Sequence, residues 1–398
     1  MKSRKIIIAI LIIFIIILFS GCESKTKEEV NMEKRVEEKL SNMTLDEKIG
    51  QMLMIFYRKD TVDNTLRDSL KTVKPGGFIL FAENFTSYNQ SLEFIKEVKS
   101  SSDIPMIISV DQEGGRVQRI KELSDKEVSI IPAMNYVGKM DDTELTKDIG
   151  KVIGEELRVF GINMDFAPVM DVWENKDNTV IGKRSFGNTP EFVSKHALAL
   201  GEGLKETGII PVYKHFPGHG NTSVDSHEDL PVVTKTKEEL LKDDIIPFMD
   251  AIKNGEEVIM IGHLAVPSIT GDNTPASLSR KIITDLLKNE LGFKGLVITD
   301  ALNMGALTNN YTQDEVYIKA INAGVDILLM PNGSKDALNT IRDAVNKGMI
   351  SEDTINNSVR KILTLKYKYI EDDYDEYLDS SQLNSKAHQK IVNKVVVE

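Results

Sequence analysis

The sequence predicts an α/β chain whose body is a (β/α)8 TIM-type barrel, a single domain with an export signal before it and a short tail after it. Three observations carry that prediction. Eight short apolar and β-branched runs recur through residues 42–370, without the alternation of a one-faced sheet, as in parallel strands buried on both faces. Helical stretches separate the runs, and polar residues stand at their C-terminal ends, the rim on which barrels build their sites. An open doubly wound sheet is the runner-up. No phosphate-binding glycine fingerprint follows its first strand, however, and Asp111-Gln-Glu-Gly-Gly-Arg116 has the wrong glycine spacing.

Residues 1–21 read as an address. Lys2, Arg4 and Lys5 precede an unbroken apolar run of 14 residues, Ile6 to Phe19. That length suits a secretory h-region, since a spanning helix needs about 20 residues. Leu18-Phe19-Ser20-Gly21-Cys22 resembles a bacterial lipoprotein cleavage box, with Cys22 as the acylated first residue; an uncleaved single-span anchor is the alternative. Either places the body outside the cytoplasm, at the extracytoplasmic face of the cell membrane. Residues 22–41 are polar, with little to bury, and are expected to be a tether.

The barrel is expected over 42–370. Thr44-Leu-Asp-Glu47 fits a capping box that opens a helix. Strands are expected at 51–57, 76–81, 106–111, 162–169, 209–214, 258–263, 295–300 and 327–331. Thr189-Pro190 offers an N-cap and a first-turn proline for a helix reaching Gly208. Further helices are expected at 236–254 and 353–370. Residues 371–398 form an acidic linker and tail, with six acids in the nine positions 371–379.

Composition narrows the function. The 398 residues carry 49 Lys and Arg against 61 Asp and Glu, a net charge of −12, which argues against a nucleic-acid partner. A single Cys excludes an internal disulfide framework and any Cys-cluster metal site.

Asp111, Asp165, Lys214, His263 and Asp300 each stand at or just before an expected strand end. Such convergence indicates an enzyme. Asp300 closes an otherwise apolar strand, where a carboxylate is costly unless paired or functional; there it is placed to attack an electrophilic carbon, or merely to cap the next helix. Lys214 to Pro231 holds three of the six histidines within 13 residues and has little helical character. Asp225 lies two residues before His227, close enough to orient the imidazole as a proton donor and acceptor. A metal site of His215, His219, Asp225 and His227 is the sharper rival, although its spacing matches no familiar zinc motif. Asp111, Arg119 and Arg184 suit the hydroxyl and carboxylate groups of a sugar-like ligand, or else a structural salt-bridge network.

The segments SVDQEGGRVQR, MDFAPVMDV, IGKRSFG, KHFPGHGNTSVDSHEDLP, IMIGH and ITDALNMGA resemble glycoside hydrolase family 3, in its β-N-acetylglucosaminidase branch, across roughly residues 42–370. The resemblance implies retaining exo-cleavage of terminal β-linked N-acetylglucosamine without a metal; muropeptides or other short amino-sugar glycans are the expected substrates, with no cofactor and a monomer expected. Asp300 matches the nucleophile, His227 the general acid/base and Asp225 its orienting partner. Asp111, Arg119, Arg184, Lys214 and His215 match residues that grip the sugar, and His263 lies in a matching strand end. Retaining hydrolysis needs a nucleophile and one group that first donates and then removes a proton. An imidazole in the second role does not repel Asp300, nor an incoming anion, so phosphorolysis on the same site is an alternative. A catalytically silent glycan-binding lipoprotein is another.

Overall fold

The structure is a computed structural model that describes residues 26–222, 226, 229–372 and 374–397. It divides into two compact units, residues 1–42 and 43–398. In the first, the segment expected as a tether includes a helix, Lys27–Ser41. Thr26 and Glu29 make a reciprocal capping box there, and the Glu- and Lys-rich stretch that follows favours helix even where it has little apolar surface to bury. Among the described residues no helix is long and apolar enough to cross a membrane.

The second unit opens as expected. Thr44 Oγ1 accepts from the Glu47 N–H at 3.3 Å, and Glu47 Oε2 accepts from the Thr44 N–H at 3.0 Å, capping the helix Leu45–Gln51. The strands are β1 (Leu53–Phe56), β2 (Gly77–Leu80), β3 (Ile107–Val110), β4 (Met164–Asp165), β5 (Ile210–Pro211), β6 (Tyr213–Phe216), β7 (Val258–Ile261), β8 (Leu296–Thr299) and β9 (Leu328–Leu329). One sheet runs β5-β4-β3-β2-β1-β9 and the other β6-β7-β8, with every pairing parallel. Parallel bridges Val169–Lys214 and Ile298–Ile327 join the sheets at both seams. Eight strand positions therefore run round one ring, and the fold is a (β/α) barrel of the TIM type.

Two expected strands are reshaped. Residues 162–169 yield only a two-residue β4, because Pro168 cannot donate to a ladder. The fifth position is divided into β5 and β6 at Val212, whose N–H reaches the Asp165 and Ala167 carbonyls at 3.0 and 2.9 Å.

The helices differ in two places. Residues 236–254 break into Lys237–Lys242 and Ile246–Lys253. Pro247 has no N–H for the turn before it, which ends one helix and starts another. Thr189 precedes Pro190–Glu206 but makes no side-chain cap bond. At the C-terminal end, Asp372, Asp375, Glu376 and Asp379 are exposed, as a spacer requires. Between them Tyr374 and Tyr377 turn inward onto Lys99: the Tyr374 hydroxyl accepts from the Met106 N–H at 3.0 Å, and Lys99 donates to the Tyr377 hydroxyl at 3.2 Å. The helix Lys386–Val392 then packs on Thr143–Arg158.

Candidate active site

A cleft of about 500 Å³ opens where the strands end, bounded by residues that end or follow β1, β3, β6, β8 and β9. Its charged wall begins at the turn after β3. Gly114 and Gly115 adopt φ values of +98° and +57°, and a Cβ on Gly114 would lie 2.6 Å from the Pro132 carbonyl. Glycine is thus required twice in succession. Gln112 ties this turn together, accepting from the Arg119 N–H at 2.8 Å and donating its own N–H to Asp165 at 2.9 Å.

Lys214 and His215 are consecutive, yet both line the cleft. In a regular strand they would face opposite ways. The β6–β7 register shifts between Tyr213 and Phe216, and such an irregularity re-aims side chains. Lys214 Nζ lies 2.8 Å from Asp111 and 2.5 Å from Glu113. Arg184 grips Glu113 with two bonds of 2.7 Å, while Arg119 stands 3.6 Å from Asp111. Burial alone would raise the Glu113 carboxyl; the Arg184 and Lys214 charges overcome it and hold the group ionised, far below the ordinary range. Burial likewise opposes the Lys214 charge, but Asp111 and Glu113 raise its pKa. Arg119 Nε is buried with no partner, so this guanidinium keeps unspent donor capacity.

Asp300 stands directly after β8, half-buried at the cleft surface. It does not cap the next helix, which starts at Gly305; its Oδ1 accepts from the Ala301 N–H at 2.7 Å. Burial pushes its pKa up. The His215 and His263 rings, the Ala301 N–H and the Lys214 ammonium together bring it below the ordinary aspartate value. The cleft therefore presents an ionised carboxylate at neutral pH.

His215 Nδ1 donates to Asp171 Oδ2 at 2.7 Å, which fixes the ring orientation and leaves Nε2 on the opposite edge. Asp171 also accepts the backbone N–H groups of His215 and His219, at 3.3 and 2.7 Å. His219 is buried, with Nδ1 on Thr222 at 2.7 Å and Nε2 on Ser226 at 3.2 Å; burial brings its pKa down to about 4, so its ring is neutral. With both nitrogens engaged, His219 offers no ligand position in this arrangement. Gly220 lets the loop lie against the segment after β4, where a Cβ would come within 1.8 Å of the Val172 carbonyl.

Asp111, Arg119, Arg184, Lys214, His215 and Asp300 share this cleft as the sequence led one to expect. His263 is corrected. It is fully buried, bonded through Nδ1 to Ser277 at 2.7 Å and through Nε2 to the Ala301 carbonyl at 3.0 Å, so it supports the peptide beside Asp300 instead of facing a ligand. Asp225, His227 and Cys22 lie outside the described residues; Ser226, between the first two, lines the cleft. Sequence reasoning missed Glu113 and Asp171 as site residues. The available signal was their place in the segments DQEGG and VMDV, beside residues already singled out.

A closed parallel barrel with a charged cleft at its C-terminal rim is the architecture of a barrel enzyme. The chain belongs to glycosyl hydrolase family 3: residues 44–365 match the model of that family's N-terminal domain. It is 31% identical over 393 residues to Beta-hexosaminidase A of Pseudoalteromonas piscicida, covering 88% of this chain but only 65% of that protein. It is 32% identical over 329 residues to Beta-hexosaminidase LpqI of Mycobacterium tuberculosis, covering 80% of this chain and 82% of the relative. Among solved structures, a glycoside hydrolase family 3 beta-N-acetylglucosaminidase from Paenibacillus sp. str. FPU-7 superposes with a TM-score of 0.82 at 33% identity, covering 89% of this chain and 68% of the other.

Proposed function

We propose that this chain is a retaining exo-β-N-acetylglucosaminidase that releases terminal β-linked N-acetylglucosamine from peptidoglycan fragments or short amino-sugar glycans. The single observation that carries the reading is Asp300, a carboxylate kept ionised at a rim cleft of the family 3 barrel. The names of the hexosaminidase relatives support the choice of sugar. In this reading Asp300 attacks the anomeric carbon while His227, oriented by Asp225, gives its proton to the departing oxygen. His227 then takes a proton from the water that cleaves the glycosyl ester. Asp111, Lys214 and Arg119 hold the sugar hydroxyls, Arg184 braces Glu113 behind them, and His215 presents Nε2.

A chromogenic N-acetylglucosaminide tests this. The parent should turn it over, and Asp300→Asn should lose about a thousandfold or more in kcat and fail to accumulate a glycosyl-enzyme with a fluorinated donor. Covalent labelling of Asp300→Asn would refute the assignment. His227→Gly should lose most turnover of a disaccharide with a poor leaving group; free sugar, not sugar phosphate, is the product expected in phosphate buffer. We further propose that the barrel acts as a monomer held at the extracytoplasmic face of the membrane by an acyl group on Cys22, with residues 22–41 as the spacer. A mature N-terminal peptide lacking acyl mass would overturn that anchor.

A further inference from the structure

Glu156 lies in the helix Thr143–Arg158, away from the cleft, and its side chain is 2% exposed. A buried carboxylate requires compensation, and here the partners come from two other parts of the chain. The Ser129 N–H reaches both of its oxygens, at 3.1 and 3.0 Å. From the C-terminal segment, the Asn384 N–H donates at 2.8 Å and His388 Nδ1 lies at 3.2 Å. His388 Nε2 meanwhile bonds Glu155 at 2.7 Å. Glu156 is therefore the joint between the tail and the strand of loop around Ser129.

That loop backs onto the turn whose residues Asp111, Glu113, Arg116, Val117 and Arg119 line the cleft. Two residues on, the Ile131 carbonyl accepts the Gly115 N–H at 2.9 Å, and the Ile131 N–H donates to Gln118 Oε1 at 2.9 Å. Gln118 Nε2 returns to the Gly115 carbonyl at 2.8 Å and the Ile131 carbonyl at 3.2 Å. Ala133 presses on Gly115, whose added Cβ would sit 2.8 Å from the Ala133 Cβ. The turn so clamped carries Asp111 and Glu113 at its start and Arg119 at its end. On its other sides the turn is held by Asp165 at Gln112 and by Arg184 and Lys214 at Glu113, while Arg116 donates to the Val180 carbonyl; the Ile131 and Gln118 bonds are its ties at Gly115.

We propose that Glu156 is a positioning residue for sugar binding: with Ser129, Asn384 and His388 it makes the C-terminal segment a brace for the Asp111–Arg119 turn. The inference rests on the glycosidase reading only for its kinetic readout. Asp111 and Arg119 would contact the sugar in ground and transition states alike, so loosening them removes uniform binding and raises KM more than it lowers kcat.

The test uses the full-length chain with Glu156→Gln, His388→Ala and the double variant, assayed well below each one's unfolding temperature. Glu156→Gln should raise KM for an aryl N-acetylglucosaminide about three- to tenfold with a smaller change in kcat, within the range of couplings carried through packed networks. His388→Ala should act in the same direction, and the double variant should exceed Glu156→Gln by little, because both cut one path. Amide exchange at Gly115 and Val117 should quicken in each. Lower unfolding temperatures with KM and the Gly115 exchange rate both unchanged would show a merely structural tail and overturn the proposal. If the parent itself lacks activity, the glycosidase reading fails alone; Gly115 exchange then still decides the brace, and His388→Ala decides it should Glu156→Gln not fold.

Discussion

Asp165→Asn probes the electrostatics behind the cleft without touching its surface. Asp165 is fully buried; Oδ1 accepts the Gln112 N–H at 2.9 Å and Oδ2 has no partner. Burial raises its pKa well above the aspartate value. The Gln112 N–H and Lys214 pull the other way, while Asp111 and Glu113 add to the rise. The folded protein thus keeps a proton that the unfolded chain releases above about pH 4. Wherever the folded state binds more protons, stability falls as pH rises, here by about 1.4 kcal/mol per pH unit until the native carboxyl ionises. Asparagine has nearly the same shape, keeps the acceptor for Gln112 and has no proton to lose. The variant should match the parent near pH 4 and overtake it toward neutrality, by about 3 kcal/mol for two pH units inside the window. Urea midpoints from about pH 4 to about pH 8, followed by the fluorescence of the sole tryptophan, Trp173, measure the gap. A gap that does not change with pH, or a variant less stable than the parent at neutral pH, refutes the reasoning.

Two further substitutions bear on buried charge. Asp171→Asn leaves an amide facing His215 Nδ1 and the two backbone N–H groups that Asp171 now accepts; it should cost about 3 kcal/mol of stability and at least about tenfold in kcat/KM, read by urea unfolding and initial rates, and an unchanged kcat/KM would dismiss Asp171 as the orienter of His215. Lys366→Met carries the opposite pH signature from Asp165→Asn. Lys366 is fully buried, donates to Gln51 Oε1 at 2.7 Å and is brought down to about 7 by burial. Between about pH 7 and about pH 10 the unfolded chain holds the proton that the folded state has released, so parental stability rises with pH across that window. The methionine variant should therefore be the more stable at neutral pH and lose its advantage toward about pH 10, which unfolding temperatures measured across that range would show or deny.

Most of the rim was legible because a barrel turns a local pattern into a global position. A polar residue closing an apolar run lands on one face whatever the rest of the chain does, which is why Asp111, Lys214 and Asp300 could be named without coordinates. Glu113 and Asp171 could not be. Their roles depend on partners 71 and 44 residues away, Arg184 and His215, and nothing local distinguishes a carboxylate that will be clamped from one that will be solvated. His263 shows the converse. A strand-end position guarantees nearness to the cleft but not direction, and Ser277 and the Ala301 carbonyl draw the ring inward. The packing of the acidic tail was not legible for a related reason. Composition averages over residues 371–379, whereas docking is settled by the minority: Tyr374 and Tyr377 against Lys99, then His388 against Glu155 and Glu156. Exposed acids and a docked backbone are compatible because the acids face water while the tyrosines between them do not.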